Sequence, residues 1–108
     1  ILEIVEFRNY IDSLPNKLFD KIEENGRNFS DGQKQRIAIA RSLFFQKKII
    51  IFDEALSLLD ELSQKNIINN IKKNLKNQSL IIISHNSNIK KYCDINYEIK
   101  DQKIIKLI

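Results

Sequence analysis

Lys48-Ile49-Ile50-Ile51-Phe52-Asp53-Glu54 is an apolar run that stops on two carboxylates. Short, continuous and β-branched, it reads as a buried strand of a parallel sheet. Open α/β sheets hold their ligands at the carboxyl ends of such strands. Asp53 and Glu54 therefore stand where a sheet of this kind does its chemistry. Asp53 can hold Mg²⁺ through water. Glu54 can orient and deprotonate an attacking water. Strands that end in acidic loop residues are common without any function, so this stretch points to architecture before activity.

Downstream, Ile67, Ile68, Ile71 and Leu75 form the inner face of a helix over about 62–75. Ser79–Ser84 reads as a second buried strand, and His85, the only histidine, comes directly after it. If the two strands are parallel neighbours joined by that helix, His85 emerges beside Asp53 and Glu54. A short helix at about 87–92 and strands near 95–99 and 103–107 close the chain. The alternation of Ile95, Tyr97 and Ile99 suggests that one face of this tail is exposed.

Upstream, residues 1–14 read as helical, with Ile4, Phe7, Ile11 and Leu14 on one face. Pro15 starts a short segment through Phe19, and Asn25-Gly26 marks a turn. Ser30 and Asp31 are good N-terminal caps for a helix to about Phe45, whose apolar face includes Ile37, Ala40 and Phe44. The loop Asn28–Arg36 thus feeds a helix N-terminus, where free N–H groups and the helix dipole favour an anion. Ser30 adds a hydroxyl, Gln33 an amide, and Gly32 allows close approach of the backbone to a phosphate. A capped surface helix has the same local sequence.

Composition sets outer bounds. The 108 residues are 43% hydrophobic, with two Gly and one Pro, which suits a globular fold. The chain begins at Ile1 and has no Met, so it reads as a piece of a longer polypeptide. The net charge of +4 comes largely from Lys in polar Lys/Asn stretches such as Lys72–Lys76. Arg and aromatic residues are not interleaved on one surface, so no nucleic-acid partner is expected. The lone Cys93 rules out an internal disulfide and fits a bland buried thiol in a reducing compartment. No apolar run approaches the ~20 residues of a membrane span.

Four motifs in order resemble the ABC transporter ATP-binding family. Phe29-Ser30-Asp31-Gly32-Gln33 resembles the signature LSGGQ, and Lys34–Arg41 resembles the family's usual continuation of it. Ile49–Glu54 looks like the Walker B strand with its glutamate, Ala55–Asp60 like the D-loop, and Ile83-Ser84-His85 like the H-loop. The resemblance covers about residues 20–108. It implies an α/β fold: a partial P-loop NTPase (RecA-like) parallel sheet with part of the ABC helical subdomain and no Walker A strand. On this basis residues 1–45 are expected to belong to the helical subdomain, ending in the signature helix, and residues 46–108 to the RecA-like core.

The resemblance also implies roles. ATP and Mg²⁺ would sit between two such domains arranged head to tail, in a homo- or heterodimer. Asp53 would serve Mg²⁺, Glu54 would be the general base, and His85 would hold the γ-phosphate. Ser30, Gly32 and Gln33 would touch the ATP of the opposing domain, and Ser57 and Asp60 would meet that domain. Leu14-Pro15 and Glu24-Asn25-Gly26 look like exporter sequence, which implies a transmembrane domain, fused or separate, and a place on the cytoplasmic face of the membrane. Lipid-linked oligosaccharide and peptide exporters are the implied subfamilies. The competing expectations are a non-catalytic piece that lends only its signature to a partner, and an ABC ATPase of DNA repair.

Two departures stand out. Asp31 replaces the first glycine of the signature, where a carboxylate repels a triphosphate unless it points away and caps the helix. Leu58 takes a D-loop position that is usually small. Without a Walker A strand, Leu80–Ile83 is expected to be an apolar open edge and the isolated chain to be inactive and poorly soluble or partly molten.

Overall fold

The computed structural model describes residues 1–20 and 29–108. The expected turn at Asn25-Gly26, the exporter-like stretch Glu24-Asn25-Gly26 and Asn28 of the signature loop lie outside the described residues. β1 (Ile49–Asp53) and β2 (Ser79–Ile83) pair in parallel, in a register that sets Ile49 opposite Ser79 and Asp53 opposite Ile83. Between them in the chain runs a helix, α3 (Glu61–Asn74). Its start is fixed by Asp60, whose Oδ2 accepts the N–H of Ser63 at 3.2 Å. Lys72 and Lys73 complement the dipole in its last turn. Ile67, Ile68 and Ile71 are fully buried on its inner face, each worth roughly 1.5–3 kcal/mol of burial.

These side chains join Ile50, Phe52, Leu56 and Leu59 in one core with Val5, Phe7, Ile11, Phe29 and Ile39. The strands are not buried on both faces as their apolar runs suggest. Ile50 and Phe52 point into the core, whereas Ile49 and Ile51 are about 60% exposed. In β2, Leu80 and Ile82 are half-buried and Ile81 and Ile83 are exposed. Among the described residues only one face of the sheet is covered.

α2 (Asp31–Phe44) keeps the expected bounds within a residue but not the expected face. Ile39 is its buried residue, Ile37 and Ala40 are half-buried, and Phe44 is exposed. The helix ends there, past the core, and the Phe44 ring packs edge-on against Phe45 instead. The N-terminal helix is also shorter than the 1–14 expected: α1 is Arg8–Ser13, preceded by turns. Glu6 sits at φ 56°, in the left-handed region, which interrupts the helix and lets both Val5 and Phe7 turn inward. Pro15 leads into a single 3₁₀ turn at Lys17–Phe19.

After a 3₁₀ helix at Ser87–Tyr92, β3 (Asn96–Lys100) and β4 (Lys103–Leu107) form an antiparallel hairpin. Its two-residue turn, Asp101-Gln102, has positive φ at both positions, as the twist of a tight hairpin demands. Exposure is not confined to one face of this hairpin: Tyr97, Ile99, Ile104 and Ile105 are all exposed. Cys93 is half-buried rather than buried, and burial pushes its thiol above the usual value. No described helix is long and apolar enough to cross a membrane.

Candidate functional site

The parallel register brings the two strand ends together. The N–H of Glu54 donates to the carbonyl of Ile83 at 2.9 Å, extending the ladder one residue past β1. Glu54 then adopts φ 53°, a left-handed conformation that costs a non-glycine residue about 1 kcal/mol. Strain of this kind gathers at functional sites. The turn aims the carboxylate across the sheet end: Oε1 accepts the backbone N–H of His85 at 3.1 Å and lies 3.5 Å from its Nε2. Glu54 is 37% exposed at its side chain, and the imidazole is fully exposed. Ser84 Oγ accepts the N–H of Asn86 at 3.0 Å, which tightens the turn that carries His85.

Asp53 is exposed at the same strand end. No three His, Cys, Asp or Glu residues gather to cage a metal ion among the described residues. A single carboxylate beside open space fits the way Mg²⁺ is held, with waters and substrate oxygens completing the shell.

At the start of α2, Ser30 and Gln33 form a reciprocal capping box. Ser30 Oγ accepts the N–H of Gln33 at 3.2 Å, and Gln33 Oε1 accepts the N–H of Ser30 at 2.8 Å. The pair consumes neither the hydroxyl proton of Ser30 nor the side-chain NH₂ of Gln33. Asp31 is not the cap: its exposed carboxylate lies 3.6 Å from Lys34 Nζ, one turn along the helix. A Cβ on Gly32 would stand 3.4 Å from the Leu58 carbonyl and 3.6 Å from Leu59 Cδ2. These are ordinary van der Waals distances, so the seating of α2 against the loop after β1 does not by itself require glycine at this position.

That loop, residues 54–60, is braced by side chains the motifs do not single out. Gln35 Nε2 donates to the Glu54 carbonyl at 3.2 Å and to Ser57 Oγ at 3.1 Å, while Oε1 accepts the N–H of Leu58 at 2.9 Å. Arg36 Nε donates to the Val5 carbonyl at 3.1 Å, and its Nη2 to Ser63 Oγ at 2.9 Å. Gln64, buried on α3, donates to the carbonyls of Leu56 at 2.8 Å and Leu59 at 3.0 Å. The visible signal for Gln64 is a polar residue one turn before Ile67 and Ile68 on the apolar face. Asp60 caps α3, and the Ser63 hydroxyl and N–H hold its carboxyl below the usual value, with the Arg36 charge a minor cause. Glu54 and His85 are thus brought into contact, Ser57 is tied to α2, and Ser30 and Gln33 are tied to each other.

The ABC transporter family profile matches residues 5–57. The lacticin-481/lactococcin-DR transport/processing ATP-binding protein of Lactococcus lactis is 41% identical over 97% of this chain, which spans 16% of that relative. A putative export ATP-binding/permease protein of Rickettsia typhi is 46% identical over 79% of the chain and is spanned to 15%. A solved bacterial Atm1-family ABC exporter with ATP bound superposes with a TM-score of 0.75 at 31% identity, covering 82% of this chain and 16% of that one.

Proposed function

The chain belongs to the ABC transporter ATP-binding family, and on that premise we propose that it is the C-terminal part of an exporter's ATP-hydrolysing domain. Residues 1–45 contribute to the helical subdomain and 46–108 to the RecA-like core. The sequence contains no GxxxxGK[ST] phosphate loop, so nucleotide on this domain is held by a Walker A segment outside these residues. The 108 residues alone are not expected to turn ATP over.

The observation that carries this reading is the contact of Glu54 with His85 at the ends of two parallel strands. Glu54 takes a proton from water as the water oxygen bonds to the γ-phosphorus and the bond to the ADP oxygen breaks. His85, fully exposed beside that carboxylate, donates to the γ-phosphate. Asp53 would hold Mg²⁺, which would neutralise phosphate charge. The donors of Ser30 and Gln33 that their capping box does not use, with the Gly32 backbone, face ATP on a second domain of the same kind, in a homo- or heterodimer. Ser57 and Asp60 lie on the loop that meets that domain. The permease named in the Rickettsia typhi relative supports a transmembrane partner, fused or separate, with this domain on the cytoplasmic face of the membrane.

The test joins the chain to its Walker A segment and measures phosphate release. Glu54→Gln keeps an acceptor for the His85 N–H but removes the base, so hydrolysis is expected to fall about 100-fold or more while ATP binding persists. An unchanged rate overturns the catalytic assignment. A wild type without hydrolysis leaves only a module that lends its signature residues to a partner.

A further inference from the structure

Resting on the ATP-hydrolysis reading, we infer that Gln64 and Asn86 form a positioning clamp that locks the 54–60 loop to the turn carrying His85. Gln64 is only 6% exposed, beside Ser63 at the start of a helix face that continues with Ile67, Ile68 and Ile71. Both its amide protons are used on the carbonyls of Leu56 and Leu59. Its Oε1 accepts the Nδ2 of Asn86 at 3.1 Å. The two carbonyls dictate the orientation of this amide, since an oxygen turned toward them would be repelled. A carboxylate of the same size would fail for the same reason. The amide therefore fits this place by its donors, not by its bulk.

Asn86 is the residue after His85. Its Oδ1 accepts the N–H of Asn88 at 3.0 Å, which starts the 3₁₀ helix at Ser87–Tyr92. The backbone around His85 is thus held from both sides: its own N–H rests on Glu54, and its neighbour's side chain rests on Gln64. The imidazole, fully exposed, has no packing of its own to fix it. Its direction follows the backbone, which Glu54 holds on one side and Asn86 on the other. The other end of the clamp holds the segment that carries Ser57 and Asp60. Gln64 thereby makes the partner-facing loop and the phosphate-facing histidine move as one unit. Gln64 and Asn86 are positioning residues that act through His85.

The experiment uses the longer polypeptide that includes the Walker A segment, with kcat and KM for ATP measured alongside thermal unfolding. Asn86→Ala, Gln64→Met and their double variant are compared. Losing one positioning hydrogen bond is expected to lower kcat roughly 3- to 10-fold. KM should stay within about 2-fold, because the Walker A contacts that bind ATP are untouched. The double variant should be no slower than the slower single one, as expected of one coupled unit. Losses that multiply in the double variant overturn the clamp, as does a fall in unfolding temperature with kcat unchanged. An active wild type and an inactive Glu54→Gln, beside a fully active Asn86→Ala, overturn the clamp alone. A wild type that hydrolyses no ATP overturns the hydrolysis reading with it.

Discussion

Glu54 holds the backbone N–H of His85 at 3.1 Å and sits 3.5 Å from its Nε2, so two strand ends separated by the whole of α3 meet through one carboxylate. The backbone contact and the imidazole contact are separable. His85→Ala removes the imidazole but leaves the carboxylate anchored on the N–H at position 85. Hydrolysis by the complete domain is expected to fall about 100-fold, the usual loss for one transition-state donor. The variant should still bind ATP and unfold at the wild-type temperature. Single-turnover phosphate release measures the first effect, and a rate within about 2-fold of wild type would remove His85 from the proposed mechanism.

The pairing of Glu54 with His85 was legible in the sequence because period and spacing constrain it. Two apolar runs flanking one amphipathic helix leave parallel neighbours as the simple solution, and residues just past each strand then share an edge. The covering of the sheet was not legible. Ile49 and Ile50 are the same residue type, yet one is 60% exposed and the other 4%, because exposure depends on what lies across each face. Phe44 departs from expectation for a related reason: helix periodicity says which residues share a stripe, not where the core stops. Gln64 showed only as a polar residue on a mostly apolar helix face, and neither it nor Gln35 showed what it braces. Most of their partners are backbone groups, the Glu54 carbonyl 19 residues from Gln35 and the Leu56 carbonyl 8 from Gln64, and backbone groups carry no sequence signal.

Asp31 puts a carboxylate at the first position of the signature helix, next to the place where the proposed reading puts a partner's triphosphate. Its link to Lys34 is an exposed pair at 3.6 Å, which contributes little to stability. Asp31→Asn should therefore leave unfolding nearly unchanged. It should lower the KM for ATP about 2- to 5-fold at low salt, the size of one screened repulsion over several ångströms. The gain should fade as ionic strength rises and the Debye length shortens. A KM that does not move at any salt concentration would mean that the carboxylate never comes near the phosphates.

Ile49, Ile51, Ile81 and Ile83 lie on one face of the β1–β2 sheet, each about half exposed or more. Four exposed isoleucines on two paired strands make a contiguous apolar surface and a template for association. The 108-residue chain alone is expected to bind an apolar dye and to sediment as oligomers. Ile51→Thr with Ile81→Thr keeps β-branching and strand preference while making the face polar, so dye binding and oligomers should both decrease. A monomeric wild-type chain with a sharp, reversible thermal transition would refute the expectation.

Asp60 ties pH to the same loop. The Ser63 hydroxyl and N–H favour its charged form and hold its pKa below the usual carboxylate value in the folded chain. A depressed carboxyl contributes stability that is present above its unfolded pKa and lost as pH falls through the folded one. The acid limb of stability should therefore steepen as pH falls below the usual aspartate range. Asp60→Asn keeps an oxygen acceptor for the Ser63 N–H, so α3 stays capped, but the residue no longer titrates. Urea unfolding of the complete domain at neutral and acid pH separates the two. The variant should lose less stability than wild type on acidification, and equal losses would mean that the cap does not depend on the charge of Asp60.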